Sequence, residues 1–429
     1  MKRIWLLYSV ALLFLMASCQ KEENKSHVIK NYLTSTTLSS DAEILKGSGG
    51  ETTLTISSSA TWTASSTEKW LTITPSGGHA GETEVTITTK ANTGSSDRNS
   101  RFCFKTEKDS LNFSIKQRVN IFKRTPVASG KVTCGETITY TGSTFYRFYS
   151  FMPRPVSNMY QDISNFSAPG CVEEVCENGL THYIWKDDDK MAAFIKSGDY
   201  VIYEIFDAIL YLVSADVTLI SDIPPYDSTS FECKSFLGSV GVDYGVLNGG
   251  ISYYVDTSNA EIVSIADDLW KKANGDIIDY ARKCYDWTHK RLVNRGGIDP
   301  VVKKILENGE GDSSCYASVC VSLLRRKGIP ARHIVMRDKG DYGWHVRVEF
   351  YVPAYGWIPL DPTWGGDNFG IHRGDYIVTS IDLCNQVRWL NGEGSTVPVV
   401  CFQYPSTFSW YYDIGVYEYH YVCRGLSSL

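Results

Sequence analysis

The 429-residue chain has no Cys-x-x-Cys, no His-Glu-x-x-His, no Gly-x-Gly-x-x-Gly and no Walker-type glycine loop. The first absence argues against a zinc ribbon or a thioredoxin-type redox site, the second against a zincin helix, and the last two against the common nucleotide-binding turns. Lys186-Asp187-Asp188-Asp189-Lys190 lacks the ligand spacing of a calcium loop and reads as a solvated turn. No metal or cofactor is therefore expected. Basic runs are lacking too, and the net charge is −6, which argues against a nucleic-acid partner. The apolar run near the N-terminus, Ile4 to Leu15, is too short to cross a bilayer as a helix.

What is present is the composition of a folded protein, 43% hydrophobic and 21% charged, with no case for global disorder. The length implies two or three domains. Lys2-Arg3 followed by the short apolar run has the form of a signal peptide. Met16-Ala17-Ser18-Cys19 resembles a bacterial lipobox. That resemblance implies a signal peptide over 1–18, cleavage before Cys19 and a lipid on Cys19. Several acyl chains anchor firmly, because each buried methylene contributes about 0.8 kcal/mol. Gln20-Lys21-Glu22-Glu23-Asn24 resembles an acidic surface-export tag. The expected location is a lipid anchor in the bacterial outer membrane, with display at the cell surface or in the periplasm both open and the membrane as one partner. Of 12 cysteines, Cys171 and Cys176 are close in sequence, but spacing does not assign connectivity.

The fold class expected is multidomain. A polar tether over 19–35 leads into 36–118, where short alternating strands such as Thr53-Leu54-Thr55-Ile56 and Val85-Thr86-Ile87-Thr88 alternate with Gly/Ser turns, the pattern of an Ig-like β-sandwich. Trp62 in Thr61-Trp62-Thr63-Ala64, Trp70-Leu71-Thr72-Ile73-Thr74-Pro75 and Ser114-Ile115-Lys116-Gln117 resemble the landmarks of the BACON domain family. The resemblance implies carbohydrate as a partner of this sandwich. Core-like alternation of the two tryptophans favours a spacer instead. Residues 119–255 stay β-rich and hold no catalytic constellation. From 256 the period becomes helical, with Ile262, Ile265, Ala266 and Leu269 on one face and Ile278, Ala281 and Tyr285 on the next. Helices followed by strands make 256–429, with its β-rich tail, an α+β domain.

The chemistry lies there. Asp312, Ser313 and Ser314 are N-cap types, so a helix starts beside Cys315 and ends at Gly328 with Pro330 beyond. A thiol in the first turn is favoured as thiolate by the helix's positive end, and the free N–H groups can hold an oxyanion. Cys320 belongs to the buried stripe of Ala317, Val321 and Leu324 and reads as structural. His345 alternates with Val346 and Val348 on a strand and shares its face with Arg347, Glu349 and Tyr351. A hairpin centred on Pro353 puts His345 across from Asp361. Asp361 then orients the imidazole, and His345 takes the thiol proton. Trp344 and Trp364-Gly365-Gly366-Asp367 border the cleft or pack its wall.

These motifs resemble the transglutaminase-like core family, relatives of papain-type cysteine proteases, from about Ala260 to Gly366. They include Ala281-Arg282-Lys283-Cys284-Tyr285-Asp286-Trp287, Leu323-Leu324-Arg325-Arg326-Lys327-Gly328-Ile329-Pro330-Ala331-Arg332 and Gly356-Trp357-Ile358-Pro359-Leu360-Asp361-Pro362-Thr363. The resemblance implies Cys315 as nucleophile, His345 as base and acid, Asp361 as orienting carboxylate, and a peptide or protein amide as substrate. The family's upstream oxyanion donor has no counterpart around Arg291-Leu292-Val293, where the usual aromatic is absent. Hydrolysis is the expected outcome. Transglutaminase-type cross-linking and a non-catalytic glycan- or protein-binding surface protein are the alternatives.

Overall fold

The structure is a computed structural model that describes residues 33–35, 44–140, 147–170, 173–177, 180–186, 199–243, 250–338, 343–382, 406–410 and 417–429. The expected signal peptide, Cys19, Cys171 and most of the Lys186–Lys190 run lie outside the described residues. Among the described residues, no helix is long and apolar enough to cross a membrane.

The N-terminal unit is a sandwich of a four-stranded and a five-stranded sheet. Alternation does the folding: in Gly50–Ser58, Leu54 and Ile56 point inward while Thr53 and Thr55 do not. Trp62 is buried and meets Phe104 edge-on, with ring centroids 5.6 Å apart. A Cβ at Gly78 would sit 2.8 Å from the Trp62 ring, so glycine is what lets the indole lie against the neighbouring strand. Trp70 is half-buried, with the Arg98 guanidinium 4.2 Å from its ring centroid. The sheet begins earlier than expected. Leu33–Ser35 pairs with Gly50–Ser58, inside the segment read as tether.

The middle unit is built on a long antiparallel pair, Phe122–Tyr140 with Asp199–Ala215. Gln161–Ser167 flanks the second strand. Tyr417–Arg424 flanks the first, and Ser406–Trp410 joins Arg147–Pro153 in a neighbouring sheet. The tail expected in the α+β domain therefore returns to the middle sheets. A 19-residue strand with one open edge would present a row of unpaired N–H and C=O groups, and the tail covers much of that edge.

The third unit is α+β. Its sheet has the order Gly356–Leu360, Trp344–Val352, Ala331–Asp338, Tyr376–Ile381, all antiparallel. Helices Ala260–Lys272, Ile277–Arg291, Val302–Asn308 and Ser313–Arg326 share one core with it, and that core includes Ile262, Tyr280, Val319, Leu323, Val348 and Phe350. Asn259, Asp276 and Asp312 cap three of the helices through their side chains. The middle unit locks onto this sheet. The Gln161 side chain donates to the Val378 carbonyl (2.9 Å) and accepts from its amide (2.8 Å), and Ile371–His372 pairs with Val213 and Ser214.

Candidate active site

The helix Ser313–Arg326 carries Cys315 in its first turn, as the cap residues require. The Asp312 carboxylate accepts from the amides of Ser314 (2.9 Å) and Cys315 (3.4 Å). Ala317, Cys320, Val321 and Leu324 form the buried stripe. Cys315 itself is 0% exposed, and its thiol donates to the Ile298 carbonyl at 3.7 Å. Gly311 lies directly against it: a Cβ there would stand 2.6 Å from Sγ. Burial first, and then the neighbouring Asp312 charge, push the Cys315 thiol up to about 12. The helix start does not by itself ionise the sulfur, contrary to the expectation from position alone. The cap carboxylate takes up the first-turn N–H groups and sets a negative charge beside the thiol, which opposes the helix dipole.

The histidine strand, Trp344–Val352, is tied to that helix start, because the Val346 amide donates to Ser313 Oγ at 3.2 Å. His345 is buried one residue before this junction, and its Nε2 meets Asp361 Oδ2 at 2.6 Å. The hydrogen bond is as expected, but the register is not. Val348 pairs with Leu360 and Val352 with Gly356, so the hairpin centres on Ala354, whose φ is +65°, instead of on Pro353. Continuing that ladder sets Arg347, not His345, opposite Asp361. The strand ends at Leu360, and the carboxylate of the next residue reaches back diagonally to the imidazole. Among the described residues Nδ1 of His345 takes no hydrogen bond, so it is the ring nitrogen free to exchange a proton.

Asp361 is held from three sides. Oδ2 also accepts from Arg347 Nε at 2.9 Å, and Oδ1 accepts from the Thr363 amide at 3.2 Å. Burial would raise this carboxyl. The hydrogen bond and charge of His345, with those of Arg347, outweigh it and keep Asp361 below its ordinary range. Arg347 is 3% exposed and spends its remaining donors on His372 Nδ1 (3.1 Å) and Asp375 (3.1 and 3.3 Å). His372 is pushed well below its ordinary value by burial, then by Arg347 and His345. Its Nε2 is buried without a partner, and the Tyr160 ring stacks on it at 4.0 Å. Sequence reading placed Arg347 on the His345 face without giving it a role, and His372 and Asp375 carried no signal. The rim is aromatic. Tyr376 stacks on His345 at 5.4 Å, and Trp364, 60% exposed, stands at 6.1 Å. Among the described residues no group of three or more His, Cys, Asp or Glu side chains is placed to hold a metal ion.

Residues 260–362 match the transglutaminase-like superfamily, and residues 60–118 match BACON, a "putative binding domain, N-terminal". The chain thus carries a BACON domain followed by a transglutaminase-like domain, in the order the sequence motifs imply. No curated protein matches it. Among solved structures it is similar to a "putative cysteine protease from Cytophaga hutchinsonii", at 13% identity and TM-score 0.45 over 72% of this chain and 100% of that one. It is similar over 21% of its length, at 21% identity and TM-score 0.19, to 20% of a Bacteroides ovatus GH5 xyloglucanase solved with a heptasaccharide. A "putative protease from Parabacteroides distasonis" matches at 8% identity and TM-score 0.21, over 76% of this chain and 69% of that one.

Proposed function

We propose that this protein is a cysteine-nucleophile hydrolase of peptide or protein amide bonds, anchored by lipid on Cys19 to the bacterial outer membrane and facing outward. The observation that carries the reading is the buried His345–Asp361 hydrogen bond of 2.6 Å on a strand bonded to the start of the Cys315 helix. Cys315 Sγ attacks the amide carbonyl carbon while His345 Nδ1 takes the thiol proton. Asp361 holds the ring through Nε2 and stabilises the imidazolium that forms. The carbonyl oxygen becomes an oxyanion at the first helical turn, where it takes the Cys315 amide in exchange for that amide's 3.4 Å bond to Asp312 Oδ1. Collapse of the tetrahedral species breaks the C–N bond, and His345 returns the proton to the leaving amine. This leaves an acyl-thioester on Cys315. Water, deprotonated by His345, then attacks the thioester and releases the acid and the thiol.

Hydrolysis is the reading adopted here; transfer of the acyl group to an amine shares every step up to the acyl-thioester and differs only in what attacks it. The BACON sandwich is proposed as a spacer between membrane and site, since Trp62 is buried in its core. The test is cleavage of a peptide library by the soluble ectodomain, beside its Cys315→Ala variant, with and without a fluorescent primary amine. Cys315-dependent cleavage without amine capture is expected. Capture of the amine into products would make the protein a transferase, and identical behaviour of the two proteins would remove the enzyme reading.

A further inference from the structure

Asp361 is the carboxylate partner of His345, yet the fold does not leave its charge facing the imidazole alone. The same Oδ2 that meets His345 also receives Arg347 Nε at 2.9 Å. The guanidinium is itself braced from behind by His372 Nδ1 and by both oxygens of Asp375. His372 belongs to a two-residue strand paired with the middle sheet, and Tyr160 of that unit stacks on its ring. Tyr160 also donates its hydroxyl to Glu349, whose other oxygen accepts from Arg332 Nε at 2.7 Å. A buried positive charge fixed in this way has no surface function to serve, and its fork geometry is spent on orientation.

We propose that Arg347 is a positioning residue of the Cys315 site: it fixes the Asp361 carboxylate against His345 and offsets part of its negative charge, so that the imidazole is held through Nε2 with Nδ1 left to accept a proton. The proposal rests on the hydrolase reading above and adds the residue that tunes its base. The groups that face Arg347 are Asp361, His345, His372, Asp375 and Tyr376, with Tyr160, Glu349 and Arg332 further along the same face. Removing its positive charge leaves Asp361 less compensated. The state in which both the thiol and the imidazole carry protons then gains stability, and the first proton leaves the pair at higher pH.

The full ectodomain is alkylated with iodoacetamide between pH 4 and 9, and modification of the Cys315 peptide is followed by mass spectrometry. In Arg347→Met the acid limb of the rate profile moves to higher pH by about one unit. In Arg347→Lys, which keeps the charge but loses the fork, the limb stays in place and the rate falls. Asp375→Asn, at a half-exposed carboxylate, moves the limb by a smaller amount to lower pH. Should Arg347→Met not fold, the Lys and Asn variants still decide the matter, because a merely structural role moves neither limb in a charge-dependent direction. Limbs that coincide in wild type, Arg347→Met and Asp375→Asn overturn the proposal. A wild type whose limb responds as stated but which cleaves no peptide overturns the hydrolase reading and leaves the assignment of Arg347 standing.

Discussion

Replacing His345 by Gln isolates what the protein does to the thiol without its base. Burial and the Asp312 charge place the Cys315 thiol at about 12. An ordinary cysteine titrates near 8.5, so at pH 7 the unassisted Cys315 carries about 3,000-fold less thiolate. A more basic thiolate is also a better nucleophile, and a Brønsted slope near 0.45 returns about 40-fold over that interval. The net expectation for His345→Gln is alkylation by iodoacetamide about 100-fold slower than for a free cysteine peptide, and slower still because the sulfur is fully buried. Wild type is expected to react faster than the free peptide at the same pH, because proton transfer to Nδ1 replaces ionisation into solvent. The assay is the rate of carbamidomethylation of the Cys315 peptide by mass spectrometry, with Cys103, a half-buried thiol distant in sequence, as an internal reference. A His345→Gln variant that reacts as fast as wild type would refute the argument, since the imidazole would then play no part in activating the thiol.

Gly311→Ala brings a methyl carbon to 2.3 Å from Cys315 Cβ and 2.6 Å from Sγ. The sulfur must shift, and a loss of peptide cleavage of about 100-fold with about 1–3 kcal/mol of destabilisation is expected from steady-state kinetics and urea unfolding. Trp364→Ala removes an exposed ring 6.1 Å from His345; a several-fold rise in KM for peptides bearing apolar side chains is expected, with Tm unchanged in calorimetry. Acid is expected to destabilise the fold before the carboxylates titrate. His333 and His372 are fully buried, and burial lowers both, so the unfolded chain takes up protons below about pH 6.5 that the folded chain refuses. Their contribution is intact above that value and declines as pH falls toward the depressed folded values, by about 1.4 kcal/mol per pH unit for each histidine that stays neutral. Urea midpoints between pH 7 and 5 check this, and a pH-independent midpoint over that range contradicts it.

The sequence displayed the sandwich and the α+β unit clearly because each is patterned by a local period. Leu54 and Ile56 alternate on a strand, and Ile262, Ala266 and Leu269 repeat on a helix, so burial follows from spacing. Asp312 and Gly328 bracket the cysteine helix by their own backbone preferences. The ownership of the C-terminal tail was not legible, because Tyr417–Arg424 would read the same in any sheet. Its place is set by which strand has an open edge, and that strand lies nearly 300 residues earlier in the chain.

At the site the same division holds, and the turn decides the register. An antiparallel hairpin is centred by its turn, and Ala354 in a left-handed conformation moves the centre by one residue from Pro353. The His345–Asp361 bond survives that slip because a carboxylate beyond a strand end can reach a diagonal neighbour. Arg347, standing opposite instead, enters the bond it would otherwise have missed. Alternation put His345, Arg347 and Glu349 on one face without showing what lies over it. The structure buries it under the middle unit, so each charge on it requires a partner. The partners Tyr160, Asp361, His372 and Asp375 come from segments up to 189 residues away. A strand period reports which side chains travel together. It does not report what covers them, and here the cover turns an outward-looking polar face into the wall that holds Asp361 against His345.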